Sequence, residues 1–186
     1  MPILAREPDI FPDNLLDEQT LCPAGTEWYA IHTLSRREKD LMRRLRSLKI
    51  AHYSPMAETR NRSPSGRIRT SYLPLFRGYV FVRGTEDDRY NTVATGCVSN
   101  CLGVADALEL VSDLCRIRLL NQEGTDICPE PRPLMGRQAV VISGPMAGVQ
   151  GTITQTNSLH RLTVIVNFMQ QGASVTIDEA DVELLD

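Results

Sequence analysis

The chain has 186 residues, 42% of them hydrophobic, enough for one domain of ordinary size or two small domains with packed cores. No stretch reaches the roughly 18 to 20 apolar residues that a membrane helix requires. The N-terminus also lacks the basic and apolar segments of a secretory signal. These features exclude a membrane-spanning helix and predict a soluble protein, most simply one of the cytoplasm.

The net charge of −3 conceals an uneven distribution along the chain. Residues 1–27 carry a net charge of −5, residues 28–85 carry +10, residues 86–134 carry −5 and residues 135–186 carry −3. A basic block within an acidic protein is typical of a surface that meets nucleic acid or an acidic partner. A solvated basic face without a partner has the same composition and is the alternative.

The residue types that metal sites and active sites require show no recognisable arrangement. The five cysteines include no CxxC pair, and the three histidines lie far from them in sequence. No GxSxG, HExxH or P-loop motif is present, and the carboxylates are concentrated where a solvating role suffices. We therefore expect reduced thiols, no metal, no cofactor and no catalytic residue, as in a protein that is not an enzyme.

The N-terminal part of the chain predicts an arm, a strand and a helix. The segment 1–26 contains four prolines and no sustained periodicity, which predicts a disordered acidic arm. Residues 28–31 are aromatic and β-prone, as in a first strand. Ser35 and Glu38 have the spacing of a capping box, and leucines at helical spacing follow them. Arginines and lysines fill the remaining positions, so the predicted helix has a basic outer side.

The next segment predicts two strands that flank a basic tip. Residues 52–59 and 72–83 are β-prone, and in the second run Tyr79 and Phe81 fall on the same face by alternation. Residues 60–69 between them combine turn residues with four arginines. We predict a hairpin with an arginine-rich tip.

Two further helices are predicted on either side of a strand at 98–104. The first covers residues 86–95, and the second begins at Ser112 and ends near Gln122. The resulting order, β-α-β-β-α-β-α, predicts an α+β domain over residues 27–123, in which helices pack on a mixed sheet.

The remainder of the chain predicts a linker and a second, smaller domain. Alternating prolines mark residues 124–134 as an extended linker. From 135 to 186, short β-rich runs separated by turn residues predict a small β-barrel. At 141–153, glycines at three- and four-residue intervals separate two apolar strands and resemble a KOW motif. A glycine-spaced hairpin of any small barrel has the same pattern.

Three segments of the first predicted domain carry a resemblance to a known family. They are WYAIH at 28–32, LFRGYVFV at 75–82 and LGV at 102–104. Together with the proline-bearing linker and the KOW-like hairpin, they resemble the NusG/RfaH family of transcription elongation and antitermination factors from about Glu27 to the C-terminus. The resemblance implies an N-terminal, polymerase-binding NGN domain and a C-terminal KOW barrel. Arg77 departs from it, because the family usually has proline at that position.

The resemblance implies a function in binding rather than in catalysis. In the family, the NGN domain docks on the clamp helices of RNA polymerase and reaches the gate loop across the cleft, which suppresses pausing or termination. By motif position, His32, Tyr79 and Phe81 would line the pocket for the clamp helices, and Trp28 and Phe76 would support it. A place in the core of the sheet is the alternative for Tyr79 and Phe81.

Other basic and polar residues are assigned by position in the same way. Arg89, Tyr90 and Asn91 occupy the family's gate-loop segment. The basic helix and the hairpin tip would contact upstream or non-template DNA through phosphate attraction. The residues expected to make this contact are Arg36, Arg37, Arg43, Arg60, Arg62, Arg67 and Arg69.

The KOW domain of the family recruits a second partner, either a small-subunit ribosomal protein or the termination factor Rho. We expect Ile142, Gly144, Phe168 and Met169 to form this site. Met169 stands where the general factor has an aromatic residue. Consecutive β-branched residues after Leu162 favour a stable barrel over the helical hairpin into which the RfaH branch refolds.

A specialised, operon-specific member of the family is the favoured interpretation. Arg77, the acidic arm and Met169 all depart from the general factor. A general housekeeping NusG factor and a ribosome-associated, RNA-binding KOW protein are the alternatives. The acidic C-terminal domain argues against the latter, because RNA-binding barrels usually present a basic face. In each case we expect a monomer that makes no contact with a membrane.

Overall fold

The computed structural model describes residues 6–17, 23–62, 66, 68–121, 127–130, 136–156, 159–166, 171–178 and 181–185. The chain divides into two compact units, residues 1–108 and residues 109–186. In chain order, the elements are β1 (Ile10–Phe11), β2 (Glu27–Thr33), α1 (Glu38–Ser47), β3 (Ala51–Tyr53), β4 (Met56–Arg62), β5 (Ile68–Pro74), β6 (Tyr79–Gly84), α2 (Glu86–Ala94), β7 (Val98–Gly103), α3 (Ala107–Leu120), β8 (Cys128–Glu130), β9 (Arg137–Val141), β10 (Gln150–Thr156), β11 (Leu159–Val166), β12 (Gln171–Ile177) and β13 (Val182–Leu184).

An antiparallel sheet with the order β1-β3-β6-β2-β7 forms the centre of the first unit. Helix α1 packs on it because Leu41 and Leu45 lie on one helical face and meet Ile31, Val80 and Val82 in a buried cluster. The alternation predicted for this part of β6 therefore directs its two valines towards the helix. The predicted α+β class is confirmed.

The N-terminal arm is not disordered over residues 6–17, which corrects the prediction for 1–26. Strand β1 pairs antiparallel with β3 at the edge of the sheet. Ile10, Leu15 and Leu16 are buried. These three apolar residues are too few for a visible periodicity, yet they bury enough surface to hold the segment in place. Residues 1–5 and 18–22 of the predicted arm lie outside the described part of the chain.

Two predicted strands are each divided in the structure. The run 52–59 is divided into β3 and β4, and the run 72–83 into β5 and β6. Residues 75–78 form a turn between β5 and β6, which follows Pro74 and ends at Gly78 with a φ of 81°. Strands β4 and β5 form a separate two-stranded sheet, with pairs from Met56 with Pro74 to Arg62 with Ile68. The predicted hairpin is therefore present.

The capping box predicted at Ser35 and Glu38 is wrong. Helix α1 begins at Glu38, and its N-cap residue, Arg37, makes no capping hydrogen bond with its side chain in the described part of the chain. The Glu38 carboxylate instead accepts a hydrogen bond from the Gly78 amide at 2.8 Å. A capping box does open α2, where Thr85 and Asp88 exchange hydrogen bonds.

The second unit is built on an antiparallel sheet with the order β13-β9-β10-β11-β12-β8. Val141, Leu162, Ala173 and Val175 are buried among its strands. The turn after β9 requires glycine, because Gly144 and Gly148 have φ values of 77° and 86°. This β-rich architecture is consistent with the predicted KOW barrel.

The predicted boundary at 124–134 differs from the observed division. The two units divide after Leu108, and α3 starts at Ala107 rather than at Ser112, so nearly all of α3 belongs to the second unit. Within the predicted linker, β8 pairs with β12. Pro129 is tolerated there because β8 is the last strand in the order of its sheet, and an edge strand can lack a backbone donor.

Candidate functional site

An accessible aromatic pair lies where β2 and β6 meet the turn at 75–78. His32 of β2 and Tyr79 of β6 are cross-strand partners, and both are half-buried. Their ring centroids are 5.1 Å apart, and the planes meet at 69° in an edge-to-face contact. The strand pairing thus brings together two of the residues predicted to receive the clamp helices.

Backbone hydrogen bonds hold this pair in place from both sides. The Thr33 amide donates to the Gly78 carbonyl at 2.8 Å, and the Tyr79 amide donates to the Phe76 carbonyl at 3.2 Å. The Ser54 hydroxyl donates to the Tyr79 carbonyl at 3.2 Å. Because the Glu38 carboxylate binds the Gly78 amide, the turn is also attached to α1. The pair is therefore preorganised in the free protein.

Glycine at position 78 keeps the turn close to the aromatic pair. A Cβ atom there would lie 3.4 Å from Nε2 of His32, and the positive φ of Gly78 disfavours any larger residue. Arg77 precedes it and is exposed. Its charge is therefore available in the same turn, at the position where the family usually has proline.

Three aromatic residues predicted for the same site lie in the interior. Trp28 and Phe76 are buried, and Phe76 meets Phe81 edge-on with 6.4 Å between ring centroids. Phe81 corrects the prediction, because its side chain is 0% exposed. Its strand neighbours, Ala30 and Tyr53, are buried beside it in the middle of the sheet. Phe81 therefore has the alternative position, in the core of the sheet, and does not line the candidate site.

The three residues predicted to face the gate loop point in different directions. Arg89 binds Glu86 of its own helix, with Nε 2.8 Å from both carboxylate oxygens. This interaction raises the pKa of Arg89 and lowers that of Glu86. Tyr90 is 72% exposed, and Asn91 turns towards α1. Val93 is also exposed and lies one turn after Tyr90. Sequence reasoning missed Val93, although a spacing of three residues places the two side chains on the same face of the helix.

A shallow groove of about 480 Å³ lies between the C-terminal halves of α1 and α2. The Arg44 guanidinium crosses it and donates to the Thr95 carbonyl at 3.2 Å. The groove is lined by Arg43, Arg44, Ser47, Leu48, Asn91, Ala94 and Thr95. The lining therefore combines two arginines and an amide with the apolar side chains of Leu48 and Ala94.

The basic side of α1 is partly neutralised by acidic residues of the same chain. Arg37 forms an ion pair with Asp40 at 2.9 Å, and Arg44 also binds Asp40, which lowers the pKa of that carboxyl. Arg43 forms an ion pair with Glu7. Arg36 is exposed, has a positive φ of 61°, and has no ion-pair partner among the described residues.

The hairpin arginines are placed only through their backbone. Arg60 and Arg62 lie in β4, and Arg69 lies in β5 opposite Asn61. Arg67 and the side chains of all four arginines lie outside the described part of the chain. The pairing register places Arg60, Arg62 and Arg69 at the end of the hairpin remote from Met56 and Pro74.

Comparison with known proteins identifies the family. A family model described as transcription termination factor nusG matches residues 26–118, which is half of the chain. The chain belongs to the NusG family. The match begins beside β2 and ends within α3, so it contains the aromatic pair, the hairpin and α2. A comparison with curated proteins found no match. As a member of the NusG family, the protein is a transcription factor that interacts with RNA polymerase. The resemblance in its sequence is confirmed over residues 26–118.

In the second unit of this NusG-family protein, two of the four predicted KOW residues are described. Ile142 follows β9 and is 54% exposed, and its amide donates to the Asp181 carbonyl at 2.9 Å. Gly144 lies in the exposed turn that follows. Phe168 and Met169 lie outside the described residues. Leu184 and Leu185 at the end of β13 are exposed apolar residues that sequence reasoning did not select.

The described part of this NusG-family chain contains no cluster of three metal-ligating side chains. Among the described residues, Cys97, Cys101, Cys115 and Cys128 are thiols outside any disulfide, and Cys22 lies outside the described residues. Burial raises the pKa of the Cys97 and Cys101 thiols, which disfavours the reactive thiolate. Among the described helices, none combines the length and apolar character needed to cross a membrane.

Proposed function

We propose that this NusG-family protein binds the clamp helices of RNA polymerase through the His32–Tyr79 pair and suppresses pausing or termination. The observation that carries the proposal is the pair itself: two accessible aromatic rings in contact, held by the turn at 75–78 above a buried aromatic layer. Aromatic anchors that are fixed before binding lose little conformational entropy on association. Such a surface suits a helical partner.

Suppression of pausing follows from differential affinity. A protein that contacts both sides of the polymerase cleft stabilises the closed, elongating state to the extent that it binds this state better than the paused one. Tyr90 and Val93 of α2 are exposed apolar residues that provide a second contact, towards the gate loop. Asn91 and Arg89, the other two residues assigned to this segment, supply polar groups from the same helix.

A contact with upstream or non-template DNA is the third part of the proposal. It is supported by the β4–β5 hairpin, whose end carries Arg60, Arg62 and Arg69, and by the exposed Arg36. Arginine at such positions attracts phosphate with little dependence on sequence. Arg37 and Arg43 contribute when phosphate replaces their intramolecular carboxylate partners.

We also propose that the second unit recruits a small-subunit ribosomal protein or Rho through Ile142, Gly144, Phe168 and Met169. Exposure of Ile142 beside the turn supports this, because a large apolar side chain on a small β domain favours contact with a partner. A specialised, operon-specific role is supported by Arg77 beside the aromatic pair and by Met169 in place of an aromatic residue. A general housekeeping role uses the same polymerase contact and is the alternative.

The proposed function is tested by retention on the immobilised full-length chain. Core RNA polymerase and small ribosomal subunits from the same organism are offered separately. We expect polymerase to be retained and the double variant His32→Ala/Tyr79→Ala to lose at least about thirty-fold in affinity. Leu108→Ala, an exposed apolar truncation on α3, serves as the matched control. Retention of ribosomal subunits without polymerase would refute the proposal and favour the ribosome-associated alternative.

A further inference from the structure

The segment 6–17, here termed the N-terminal strap, lies along the arginine-bearing side of α1. The two carboxylate oxygens of Glu7 accept hydrogen bonds from Arg43, at 2.8 Å from Nε and 2.6 Å from Nη2. Nη2 of Arg46 donates to the Pro8 carbonyl at 3.0 Å and to the Ile10 carbonyl at 3.2 Å. Two arginines of the basic helix are thus bound by the protein's own N-terminal segment.

The strap is anchored independently of these arginine contacts. Strand β1 pairs with β3, and the Asp9 carbonyl accepts a hydrogen bond from the Ser54 amide at 2.8 Å. Leu15 and Leu16 are buried further along the segment. Glu7 is therefore held close to Arg43 by its neighbours in the chain. The Glu7–Arg43 pair thus differs from a surface ion pair whose two long side chains must be ordered before they can meet.

The chemistry of the Glu7–Arg43 contact is that of phosphate recognition. The guanidinium group presents two parallel N–H donors, which match the two oxygens of a carboxylate or of a phosphate equally well. Glu7 uses these donors in the free protein. The hydrogen bond from Arg43 also keeps the pKa of Glu7 below its ordinary value, so the carboxylate stays charged at neutral pH.

We propose that the strap is a built-in competitor of nucleic acid for the arginine side of α1. Glu7 occupies the donors of Arg43 that a DNA or RNA phosphate would use, and a phosphate displaces Glu7 while β1 stays paired with β3. The strap therefore weakens binding to free nucleic acid and limits the contact to strands held beside α1 at high local concentration. This inference rests on the nucleic-acid contact in the proposed function.

The test compares the variants Glu7→Gln, Arg43→Gln and their combination in the full-length chain. Affinity for a mixed-sequence single-stranded DNA and for the corresponding duplex is measured by fluorescence anisotropy at several salt concentrations. Each additional phosphate contact steepens the loss of affinity by about threefold between about 50 and about 200 mM salt. We expect Glu7→Gln to tighten DNA binding at low salt. The salt dependence of binding should also become steeper, by the amount that about one additional phosphate contact adds. In the Arg43→Gln background, the same change should have no effect.

Asp87→Asn is the matched control, because it removes one negative charge from an exposed position of α2. If Glu7→Gln changes DNA affinity no more than Asp87→Asn does, or tightens binding equally without Arg43, the strap is not a competitor at Arg43. Polymerase retention by the same variants separates this inference from the proposed function. Absence of DNA binding by both wild type and Glu7→Gln, with polymerase still retained, would overturn the strap proposal and the DNA contact on which it rests, and would leave the proposed polymerase contact standing. Loss of polymerase retention by the wild type would overturn the proposed function.

Discussion

Tyr79 and Phe81 lie two residues apart on β6 and differ in their surroundings, since Tyr79 is half-buried beside His32 and Phe81 is fully buried. Phe81→Ala should lower the free energy of unfolding by about 3–5 kcal/mol, because it leaves a cavity in the core. Tyr79→Ala should weaken polymerase binding by about 2 kcal/mol, or about thirty-fold. Denaturant unfolding and polymerase titration measure the two effects. Tyr79→Phe keeps the ring and should bind nearly as well as the wild type.

The opposite pattern would reassign the site. If Phe81→Ala folds with wild-type stability and loses polymerase binding, Phe81 reaches the partner after all. If Tyr79→Ala binds polymerase within about a factor of three of the wild type, less than the cost of losing an anchor, the aromatic pair is not the anchor.

His52 makes stability depend on pH in a defined direction. Burial lowers the pKa of His52 from 6.5 to about 4; its Nδ1 donates to the Ile50 carbonyl at 2.8 Å, and Nε2 has no partner among the described residues. Below pH 6.5 the unfolded chain binds a proton that the folded chain does not accept until about pH 4. The contribution of His52 to the free energy of unfolding is therefore fully present above pH 6.5. It is lost as the pH falls towards 4, and the total loss is up to about 3 kcal/mol.

Unfolding by urea between pH 7 and pH 4.5 measures this dependence. His52→Phe keeps a ring that can stack on Phe11, whose centroid lies 6.0 Å from that of His52, and it removes the titrating group. This variant should show a flatter profile than the wild type. Identical pH profiles would mean that His52 is not the titrating group responsible.

At the scale of elements, the N-terminal strap is predicted to be part of the first folded unit. Leu15 is fully buried, so Leu15→Ala should lower the free energy of unfolding by about 2–5 kcal/mol. Leu34→Ala removes the same atoms at a position that is 47% exposed and should cost much less. Equal stabilities of the two variants, measured by thermal unfolding, would show that the strap contributes nothing to the fold.

The β4–β5 hairpin is predicted to provide a salt-sensitive contact with DNA. Replacing Arg60, Arg62, Arg67 and Arg69 by Gln should lower affinity for a scaffold with an exposed non-template strand and flatten its salt dependence, because up to four phosphate contacts are lost. Affinity for core polymerase without nucleic acid is the control and should not change. If the salt dependence of binding is unchanged, these arginines belong to a solvated loop that does not contact DNA.

At the scale of the whole molecule, residues 135–186 are predicted to remain β in every context. Strands β9 to β13 pair in one antiparallel sheet, and β-branched residues in β11 favour that conformation over a helix. Gly144, Gly148 and Pro145 each disfavour a helix, the proline by about 3 kcal/mol in a helix interior. Amide chemical shifts and circular dichroism of the full chain and of the isolated fragment provide the measurement. Helix in this segment of the full chain that disappears in the fragment would contradict the prediction.

Family membership, the α+β class and most of the strands and helices were predictable because their signals are local. Examples are the alternation along β6, the leucines at helical spacing in α1 and the glycines in the turn after β9. Each of these patterns involves residues that lie close to one another in the sequence. The aromatic pair was also accessible to this reasoning, because His32 and Tyr79 lie in two recognisable segments.

Other features were decided only by contacts between residues distant in sequence. Glu7 and Arg43 are 36 residues apart, and Glu38 binds an amide 40 residues away instead of capping its own helix. Phe81 differs from Tyr79 because Ala30 and Tyr53 enclose it from neighbouring strands, although alternation treats the two residues alike. Sequence patterns indicate which face a side chain occupies. Burial and pairing depend on what the rest of the chain places against that face, so the strap, the interior position of Phe81 and the boundary after Leu108 required the tertiary structure.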